Sequence, residues 1–502
     1  MASYKTFSSP ETFYNYLDEL QSENSAIAII GSGFATLSIL QKIHASKNVV
    51  VFEQGNHFDP LHHKGLEINS TSSLSLKTQT VEESLGGSSN TWTGRLSEMT
   101  AYEFLGPQST RSKGDLAASI FESLEKIFYK QAWKFFNFSF FYKQKLASKG
   151  GFEERVLPAQ KKPMRVSAIL KKINIPIILN QKVLFVGSDS YGSFLITSFN
   201  NEITKKCYFK KIIIATGGIQ SINLIERSIG EGYMTSHQSL IPGTGYMNHP
   251  KFSFNNFIPG NYYSDSFHLP RYYSEDFIGY SLSNNKKNRL KVSNSYFTFQ
   301  PVYQDEHTDE FLVAKNIYTN KKNTVKTLSN YFTQSSQNIF ISLGKVVKYL
   351  LFFFKIKALE VKHFNLLFFL EMEPVKTNFI SEDQDGITAC FKLSKNDMKS
   401  LKILYEELIN EIGVLNVNDK YATFSDDDLE MIDGSHHIGG LSINNSPEKS
   451  FVDQNLQLLG SPDIYICSSS VFPRSGSCNP TLTIVALGLR LGEHLNSINK
   501  KL

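Results

Sequence analysis

Two glycines and a glutamate near the start of the chain have a spacing that suits nucleotide chemistry. Gly31 follows a short apolar run, Gly33 stands two positions later, and Glu53 lies twenty positions beyond Gly33. The first glycine permits a sharp turn, and the second lets a pyrophosphate approach the positively polarised start of a helix. A carboxylate at the end of the next strand accepts hydrogen bonds from ribose hydroxyls and disfavours a 2′-phosphate. The spacing therefore predicts a dinucleotide site, although Thr36 replaces the third glycine of the usual pattern.

The elements around these residues follow the order that such a site needs. Residues 26–30 are typical of a buried strand, the apolar spacing after Gly33 becomes helical, and residues 48–54 are typical of a second strand. A similar pattern recurs where residues 212–215 lead to Gly217 and a helical stretch. Alternation of buried strands and helices is typical of a parallel sheet covered by helices. We therefore expect an α/β fold with a Rossmann-like domain.

A tandem histidine pair and an asparagine near the C-terminus are also candidates for catalytic residues. The imidazoles of His436 and His437 titrate near neutrality, so either ring can take up a proton and return it within a turnover. The same pair is compatible with a plain polar turn. Asn479 precedes Pro480, which favours a helix N-cap with proline at the first helical position. Taken alone, these residues leave a catalytic and a structural interpretation open.

Length and composition limit the class of protein. A chain of 502 residues with 41% hydrophobic and 20% charged residues is long for one simple core, so two domains are expected. The 52 basic and 47 acidic side chains give a net charge of +5 and are scattered, which argues against a nucleic-acid partner. The four cysteines form no CxxC pair, so we expect no metal site and no disulfide framework. A reducing compartment fits this usage.

No signal peptide and no membrane-spanning helix are predicted. The N-terminus lacks an apolar signal core and is typical of a short capped helix. The longest apolar stretch, from Val346 to Leu359, is interrupted by lysines and is shorter than the ~20 residues of a spanning helix. We therefore predict a cytoplasmic protein.

The composition shifts toward Phe, Tyr, Asn, Ser and Lys between residues 251 and 433, where we expect a second domain. Within it, residues 314–337 are predicted to form a loop-rich excursion. The helix predicted to follow has four lysines on one side: Lys345, Lys348, Lys355 and Lys362. The favoured interpretation is that the apolar face of this helix packs on its own domain. The alternative is that residues 345–362 make a peripheral contact with a membrane surface or with an electron-accepting partner.

Three longer segments carry more specific patterns. Residues 85–99 read LGGSSNTWTGRLSEM, residues 243–250 read GTGYMNHP, and residues 436–495 run from HHIGGLSI to SSSVFPRSGSCNPTLTIVALGLRLGEHL. In this order they resemble the flavin loop, the passage into the substrate domain and the C-terminal segment of the glucose-methanol-choline (GMC) family of FAD-dependent oxidoreductases. The first segment is most similar to the branch of pyranose oxidase and related sugar dehydrogenases. A weaker resemblance covers residues 368–381.

The resemblance implies a Rossmann-like FAD-binding domain with an α/β fold and a substrate-binding domain built on an antiparallel sheet. The two domains together make the chain α+β overall. Residues 1–250 would form the first part of the FAD-binding domain, residues 251–433 the substrate-binding domain, and residues 434–502 the C-terminal part of the FAD-binding domain with the catalytic residues. The implied reaction oxidises a CH–OH group of an alcohol or a sugar, including a glycoside or lipid-linked sugar, by hydride transfer to flavin N5.

The resemblance also assigns roles to residues. His436 stands three positions before Gly439, as the family's catalytic histidine does, so His436 is expected to be the base and Asn479 its partner at the substrate oxygen. His249 is expected to be structural, and Cys478 is expected to be a packing residue. The residues expected to bind FAD are Gly31, Gly33, Phe34, Ala35, Glu53, Gly86, Gly87, Ser88, Ser89, Val183, Ala215, Gly217, Ser468, Ser470, Pro480 and Thr481.

Departures from the family pattern add two expectations. Thr91 stands immediately before Trp92, where sugar-oxidising members often carry a histidine bonded covalently to the flavin, so non-covalent FAD is expected. Ser468 replaces an aspartate of most members, and its hydroxyl can still form a hydrogen bond with the flavin. The electron acceptor stays open among oxygen, a quinone and a redox protein.

Two other functions also stay open. A flavin-retaining lyase, as in the hydroxynitrile lyase branch, would act without net flavin reduction. A non-catalytic binding protein built on the dinucleotide fold would remain folded without FAD. The presence of Gly31, Gly33, His436 and Asn479 argues against the binding protein.

Overall fold

The computed structural model of the chain describes residues 4–5, 9–22, 27–43, 49–59, 65–70, 81–107, 115–138, 148–149, 151–199, 203–236, 240–257, 267, 277–319, 327–329, 331, 333, 339–356, 359–412 and 431–498. The strands are β1 (Tyr4–Lys5), β2 (Ile27–Ile30), β3 (Val49–Phe52), β4 (Ile68–Ser70), β5 (Ser148–Lys149), β6 (Phe152–Leu157), β7 (Ile177–Ile178), β8 (Lys182–Asp189), β9 (Gly192–Phe199), β10 (Ile203–Phe209), β11 (Lys211–Ile214), β12 (Lys251–Phe257), β13 (Phe277–Leu282), β14 (Tyr296–Tyr303), β15 (Val361–Phe369), β16 (Phe379–Asp383), β17 (Gly386–Cys390) and β18 (Ile464–Ile466). The α-helices are α1 (Pro10–Ser22), α2 (Phe34–Leu40), α3 (Ala101–Leu105), α4 (Leu116–Ser123), α5 (Tyr129–Phe135), α6 (Val166–Leu170), α7 (Gly217–Gly230), α8 (Asn284–Leu290), α9 (Asp309–Thr319), α10 (Ile339–Phe353), α11 (Lys395–Ile412) and α12 (Thr481–Ile498).

A parallel sheet forms from short runs of β-branched residues. Its order is β1-β7-β3-β2-β11-β18, and each neighbouring pair of these described strands is parallel. β2, β3, β11 and β18 are buried at every position, which is typical of parallel strands with both faces covered. The β2–α2–β3 unit and the β11–α7 unit form where the sequence predicts them.

A second large sheet is antiparallel, with the order β12-β15-β14-β13-β6-β5 among the described strands. Aromatic side chains suit such a pleated, half-buried surface, and its core contains Phe152, Phe252, Phe297, Phe299 and Phe368. β5 and β6 belong to this sheet although they lie inside residues 1–250, so the chain enters the second sheet once before residue 251. Two smaller sheets have the orders β10-β9-β8 and β16-β17-β4.

The region after β14 corrects two predictions. Residues 314–319, expected in a loop-rich excursion, lie in α9. The predicted row of four lysines on one helix does not form, because α10 ends at Phe353, Lys355 follows with a left-handed φ of 61°, and Lys362 lies in β15. The apolar stretch from Val346 to Leu359 extends beyond the end of α10 but stops before β15, so an apolar run alone does not fix where a helix ends. Within the described residues, no helix is long and apolar enough to cross a membrane.

α9 and α10 pack together as a helical hairpin. Val346 on α10 lies in a hydrophobic cluster with residues of α9. Lys345 pairs with Glu310 at 3.4 Å, and Lys348 pairs with Asp305 at 3.0 Å. Two of the four lysines therefore make ion pairs within this region.

Candidate active site

A cavity of ≈ 550 Å³ lies at the C-terminal ends of β2, β3 and β11. Nucleotides bind at this edge of a parallel sheet, where loops and helix starts present free backbone N–H groups. β12, β14 and β15 of the antiparallel sheet line the same cavity. The predicted site residues at its wall are Gly31, Gly33, Phe34, Ala35, Glu53, Gly87, Ser88, Ser89, Val183, Ala215, Gly217, His436, Ser468, Asn479, Pro480 and Thr481.

Bare backbone forms part of the cavity wall, as a bound dinucleotide requires. Gly31 has a left-handed φ of 96°, and a Cβ there would lie 2.5 Å from the carbonyl oxygen of Ala215. A Cβ on Gly33 or Gly217 would meet no atom within 4 Å beyond its own chain neighbours and helix backbone, and both residues line the cavity. These positions therefore fit a cofactor that lies directly against the main chain.

Glu53 follows β3 and has a buried carboxylate with two hydrogen-bond donors. Ser32 Oγ donates to its Oε2 at 2.5 Å, and the Gly55 N–H donates to its Oε1 at 2.9 Å. Ser32 Oγ also accepts from the Gly86 N–H at 2.8 Å, so it ties the first turn to the glycine-rich loop. Burial raises the pKa of Glu53 to about 7, although the hydrogen bonds act in the opposite direction.

The glycine-rich loop folds into a short 3-10 helix at residues 87–90. Gly86 initiates it with a left-handed φ of 94°, and a Cβ there would lie 2.8 Å from the backbone nitrogen of Ser167. Ser89 Oγ donates to the Gly86 carbonyl at 2.6 Å and accepts from the Val166 N–H at 3.0 Å. The Ser89 hydroxyl therefore stabilises the loop itself.

Two predicted cofactor residues, Gly86 and Ser470, do not line the cavity. Gly86 shapes the turn, and the Ser470 hydroxyl shares a hydrogen bond of 2.6 Å with the hydroxyl of Ser468, which does line it. Thr91 and Trp92 also stand at the cavity wall. The Trp92 indole donates to a backbone carbonyl at 2.8 Å, which fixes the orientation of the ring.

His436 and Asn479 are in contact, although 43 positions separate them. His436 Nε2 lies 3.1 Å from Asn479 Nδ2, and His436 Nδ1 lies 2.9 Å from Nδ1 of His249. Burial lowers the pKa of His249 to about 4. Burial, together with His249 and Lys251, holds the pKa of His436 well below its usual range. Both rings are therefore neutral near pH 7.

His437 has a separate set of partners. The Tyr246 hydroxyl lies 2.6 Å from His437 Nδ1. Asn248 Nδ2 donates to that hydroxyl at 3.2 Å and to Asp433 at 2.7 Å. Among the described residues, the buried Nε2 of His437 has no hydrogen-bond partner, although the residue lines the cavity. Of the two adjacent histidines, His436 is therefore the one that contacts Asn479.

Two buried ion pairs hold the turn before α12. Glu103 on α3 accepts from Arg155 on β6 at 2.7 and 2.8 Å and from the Ser477 hydroxyl at 2.9 Å. Arg474 pairs with Glu371 at 3.0 Å. Although burial acts to raise it, the Arg155 guanidinium holds the pKa of Glu103 well below its usual range. This turn is therefore anchored to α3 and to the antiparallel sheet.

Some residues at the site were not predicted or were given another role. Ser32 could have been inferred from its place between Gly31 and Gly33. His249, expected to be structural, contacts His436 across 187 positions of sequence, a separation that no local pattern spans. Cys478, expected to be a packing residue, is buried, its Sγ lies 3.0 Å from Glu103 Oε1, and burial raises the pKa of its thiol.

Comparison with known proteins gives a family model, a curated relative and solved structures that this chain resembles. The family model described as GMC oxidoreductase matches residues 375–488. The curated protein 2-methyl-1,2-propanediol dehydrogenase of Mycolicibacterium austroafricanum is 26% identical over 145 residues, which span 27% of this chain and only 25% of that protein. Among solved structures, a fungal aryl-alcohol oxidase has a TM-score of 0.57 at 12% identity and covers 95% of this chain and 99% of its own. Pyridoxine 4-oxidase from Mesorbium loti has a TM-score of 0.54 at 11% identity, with coverage of 94% and 99%.

The structure combines a Rossmann-like parallel sheet with a second, antiparallel sheet, and one cavity is lined by residues of both. Residues 375–488 match the GMC oxidoreductase family model, and the chain as a whole shares its fold with the two solved oxidases. The resemblance found in the sequence and the predicted fold class are confirmed. The domain boundaries, the roles of the site residues and the sugar-oxidising branch stay predictions.

Proposed function

We propose that the chain oxidises a CH–OH group of an alcohol or a sugar, with His436 as the base and Asn479 as the hydrogen-bond donor to the substrate oxygen. The observation that supports this most strongly is the approach of His436 Nε2 and Asn479 Nδ2 to 3.1 Å at the wall of the cofactor cavity. Bound FAD would supply the hydride acceptor. One hydroxyl group can donate to the imidazole and accept from the amide at the same time.

Burial prepares His436 to act as a base. It lowers the pKa of the ring, so His436 is neutral and can accept a proton at physiological pH. Once protonated, the ring carries a positive charge beside the substrate oxygen, and Asn479 stabilises the negative charge that develops there. General base catalysis of this kind contributes about 10²- to 10⁴-fold to a rate.

We propose that FAD is held without a covalent bond. Glu53 would accept hydrogen bonds from ribose hydroxyls, and the turn from Gly31 to Gly33 would contact the pyrophosphate. Thr91 offers a hydroxyl where a flavin-linked histidine would stand. The other predicted contacts are Phe34, Ala35, the loop 86–89, Val183, Ala215, Gly217, Ser468, Ser470, Pro480 and Thr481.

The second sheet supplies aromatic groups for a substrate with a flat apolar face. The rings of Tyr296 and Phe369 stack with centroids 4.5 Å apart at 8°, and both residues line the cavity. The ammonium group of Lys251 lies 5.1 Å from the Phe369 ring. Such a wall suits a sugar ring, whose C–H faces can lie against aromatic rings while its hydroxyls reach polar groups. We therefore propose a sugar, glycoside or lipid-linked sugar ahead of a simple alcohol.

Anaerobic reduction of the bound flavin tests the proposal. His436→Ala should retain FAD but lose flavin reduction by a substrate that bleaches the wild-type protein. His437→Ala is the matched control and should be reduced, because Nδ1 of His437 bonds Tyr246 rather than Asn479. Flavin that turns a substrate over without bleaching would favour a lyase, and a folded chain that never takes up FAD would favour a binding protein. Reoxidation of the reduced flavin by oxygen, a quinone or a redox protein would identify the acceptor.

We also propose that the outer face of the hairpin contacts an anionic membrane surface. Phe340, Phe354 and Ile356 are 84%, 52% and 69% exposed, and the exposed Lys355 adjoins them. Phe340→Ser with Ile356→Ser should abolish binding to anionic vesicles. Tyr191→Ser, at an equally exposed position in the turn between β8 and β9, is the control and should bind like wild type. Equal binding by all three proteins would remove the proposal.

A further inference from the structure

We infer that His249 is a positioning residue that fixes the tautomer of His436, so that His436 presents an unprotonated Nε2 to the cavity. The catalytic consequence rests on the proposed function, in which this nitrogen accepts the substrate proton. The inference itself depends on a chain of three hydrogen bonds, which runs from the Ser475 carbonyl through His249 and His436 to Asn479.

The Ser475 carbonyl sets the direction of this chain. A carbonyl oxygen can only accept, so His249 donates to it from Nε2 across 2.9 Å. A neutral imidazole carries a single N–H, and the other ring nitrogen is then an acceptor. Burial keeps His249 neutral by lowering its pKa to about 4. Nδ1 of His249 therefore accepts the hydrogen bond of 2.9 Å from Nδ1 of His436.

His436 consequently holds its proton on Nδ1 and a lone pair on Nε2. The other end of the chain requires the same arrangement, because Asn479 Nδ2 is a donor and lies 3.1 Å from His436 Nε2. In the alternative tautomer, two N–H donors would face each other at the contact with Asn479. Two lone pairs would face each other at the contact with His249. Each mispaired buried contact costs free energy. Both ends of the chain therefore select one tautomer.

The backbone holds the two rings in place. Met247 and Ile438 exchange hydrogen bonds of 2.8 and 3.0 Å, which join the two segments that carry the histidines. A Cβ on Gly434 would lie 1.9 Å from the carbonyl oxygen of His249, so this close approach depends on a glycine. Within the described part of the chain, Lys251 and His437 also act on His436, and both disfavour its protonated form.

The first test measures the tautomer directly. In the FAD-loaded protein labelled with ¹⁵N at histidine, the imidazole shifts distinguish a protonated from an unprotonated Nε2. The signal of His436, identified by its loss in His436→Gln, should show a proton on Nδ1 and none on Nε2. A protonated Nε2 overturns the inference whatever the activity of the enzyme.

The second test compares two variants of His249. His249→Leu removes the acceptor, whereas His249→Asn keeps an oxygen near the place of Nδ1. Because the His436 N–H loses its partner, the limiting rate of flavin reduction should fall about 10- to 100-fold in His249→Leu. The apparent substrate affinity should hardly change, and His249→Asn should restore most of the rate.

Equal losses in both variants, or a His249→Leu protein with an unchanged His436 tautomer, would overturn the positioning role. If His249→Leu does not fold, the tautomer of His436 measured in the wild-type protein still tests the inference. Failure of every alcohol and sugar to reduce the wild-type flavin would reject the proposed function, and the tautomer would be measured independently of that result.

Discussion

Replacement of Glu53 by glutamine should weaken FAD binding and remove its dependence on pH. The Glu53 carboxylate is buried beside the cavity and accepts from Ser32 Oγ and the Gly55 N–H. Burial raises its pKa to about 7, with a smaller contribution from the negative charge of Glu83. Near neutral pH, a large part of the cofactor-free protein therefore carries a protonated Glu53.

The sign of the pH effect follows from the ribose hydroxyls. They donate to the ionised carboxylate, so FAD binding favours the deprotonated form and releases a proton below pH 7. The Kd for FAD should therefore rise toward tenfold for each pH unit below about 7, which is about 1.4 kcal/mol, and become constant well above the pKa. Loss of a hydrogen bond to a charged group costs about 1.5–3 kcal/mol, so Glu53→Gln should raise the Kd about 10- to 100-fold at alkaline pH.

Titration of the cofactor-free protein with FAD, followed by flavin fluorescence on both sides of pH 7, measures this effect. Glu83→Gln is the matched control, because Glu83 also lines the cavity and its charge helps to raise the pKa of Glu53. This variant should retain the pH dependence but shift it to lower pH. An identical pH dependence in the wild-type and Glu53→Gln proteins would refute the role of Glu53.

Four further substitutions, one of them made on top of another, test other parts of the site. Gly31→Ala forces a side chain into a left-handed backbone conformation and places its Cβ 2.5 Å from the Ala215 carbonyl oxygen. This change should lower the free energy of unfolding by about 1–3 kcal/mol. An unchanged Tm would contradict this expectation. Arg155→Met leaves Glu103 buried without its partner and should cost about 3–5 kcal/mol in chemical denaturation. Adding Glu103→Gln should recover part of that loss, and no recovery would argue against the ion pair as the cause. Asn479→Ala should lower the limiting rate of flavin reduction by about 10²-fold, and an unchanged rate would remove Asn479 from the mechanism.

Local patterns predicted the first cofactor unit correctly. A buried strand, a tight turn at Gly31, a helix and a second strand that ends just before Glu53 are all specified within thirty residues of sequence. The same is true of β11 and α7. In such units the periodicity of apolar residues and the position of the glycine determine both the element and the edge of the sheet that it reaches.

Contacts between distant segments could not be predicted in this way. Nothing within residues 148–157 indicates that β5 and β6 join the antiparallel sheet, because strand pairing depends on partners more than a hundred positions away. The contact of His249 with His436 is of the same kind. The end of α10 at Phe353 was missed for another reason, since the apolar run continues through Phe354 and Ile356 with no glycine or proline to mark a boundary.

The most direct test of the account is the visible spectrum of the purified protein during anaerobic addition of sugars and alcohols. We predict a flavin spectrum whose chromophore is released by denaturation, and which one substrate class bleaches in the wild-type protein but not in His436→Ala. A protein that stays colourless when FAD is supplied, or a His436→Ala variant that bleaches as fast as wild type, would contradict the account.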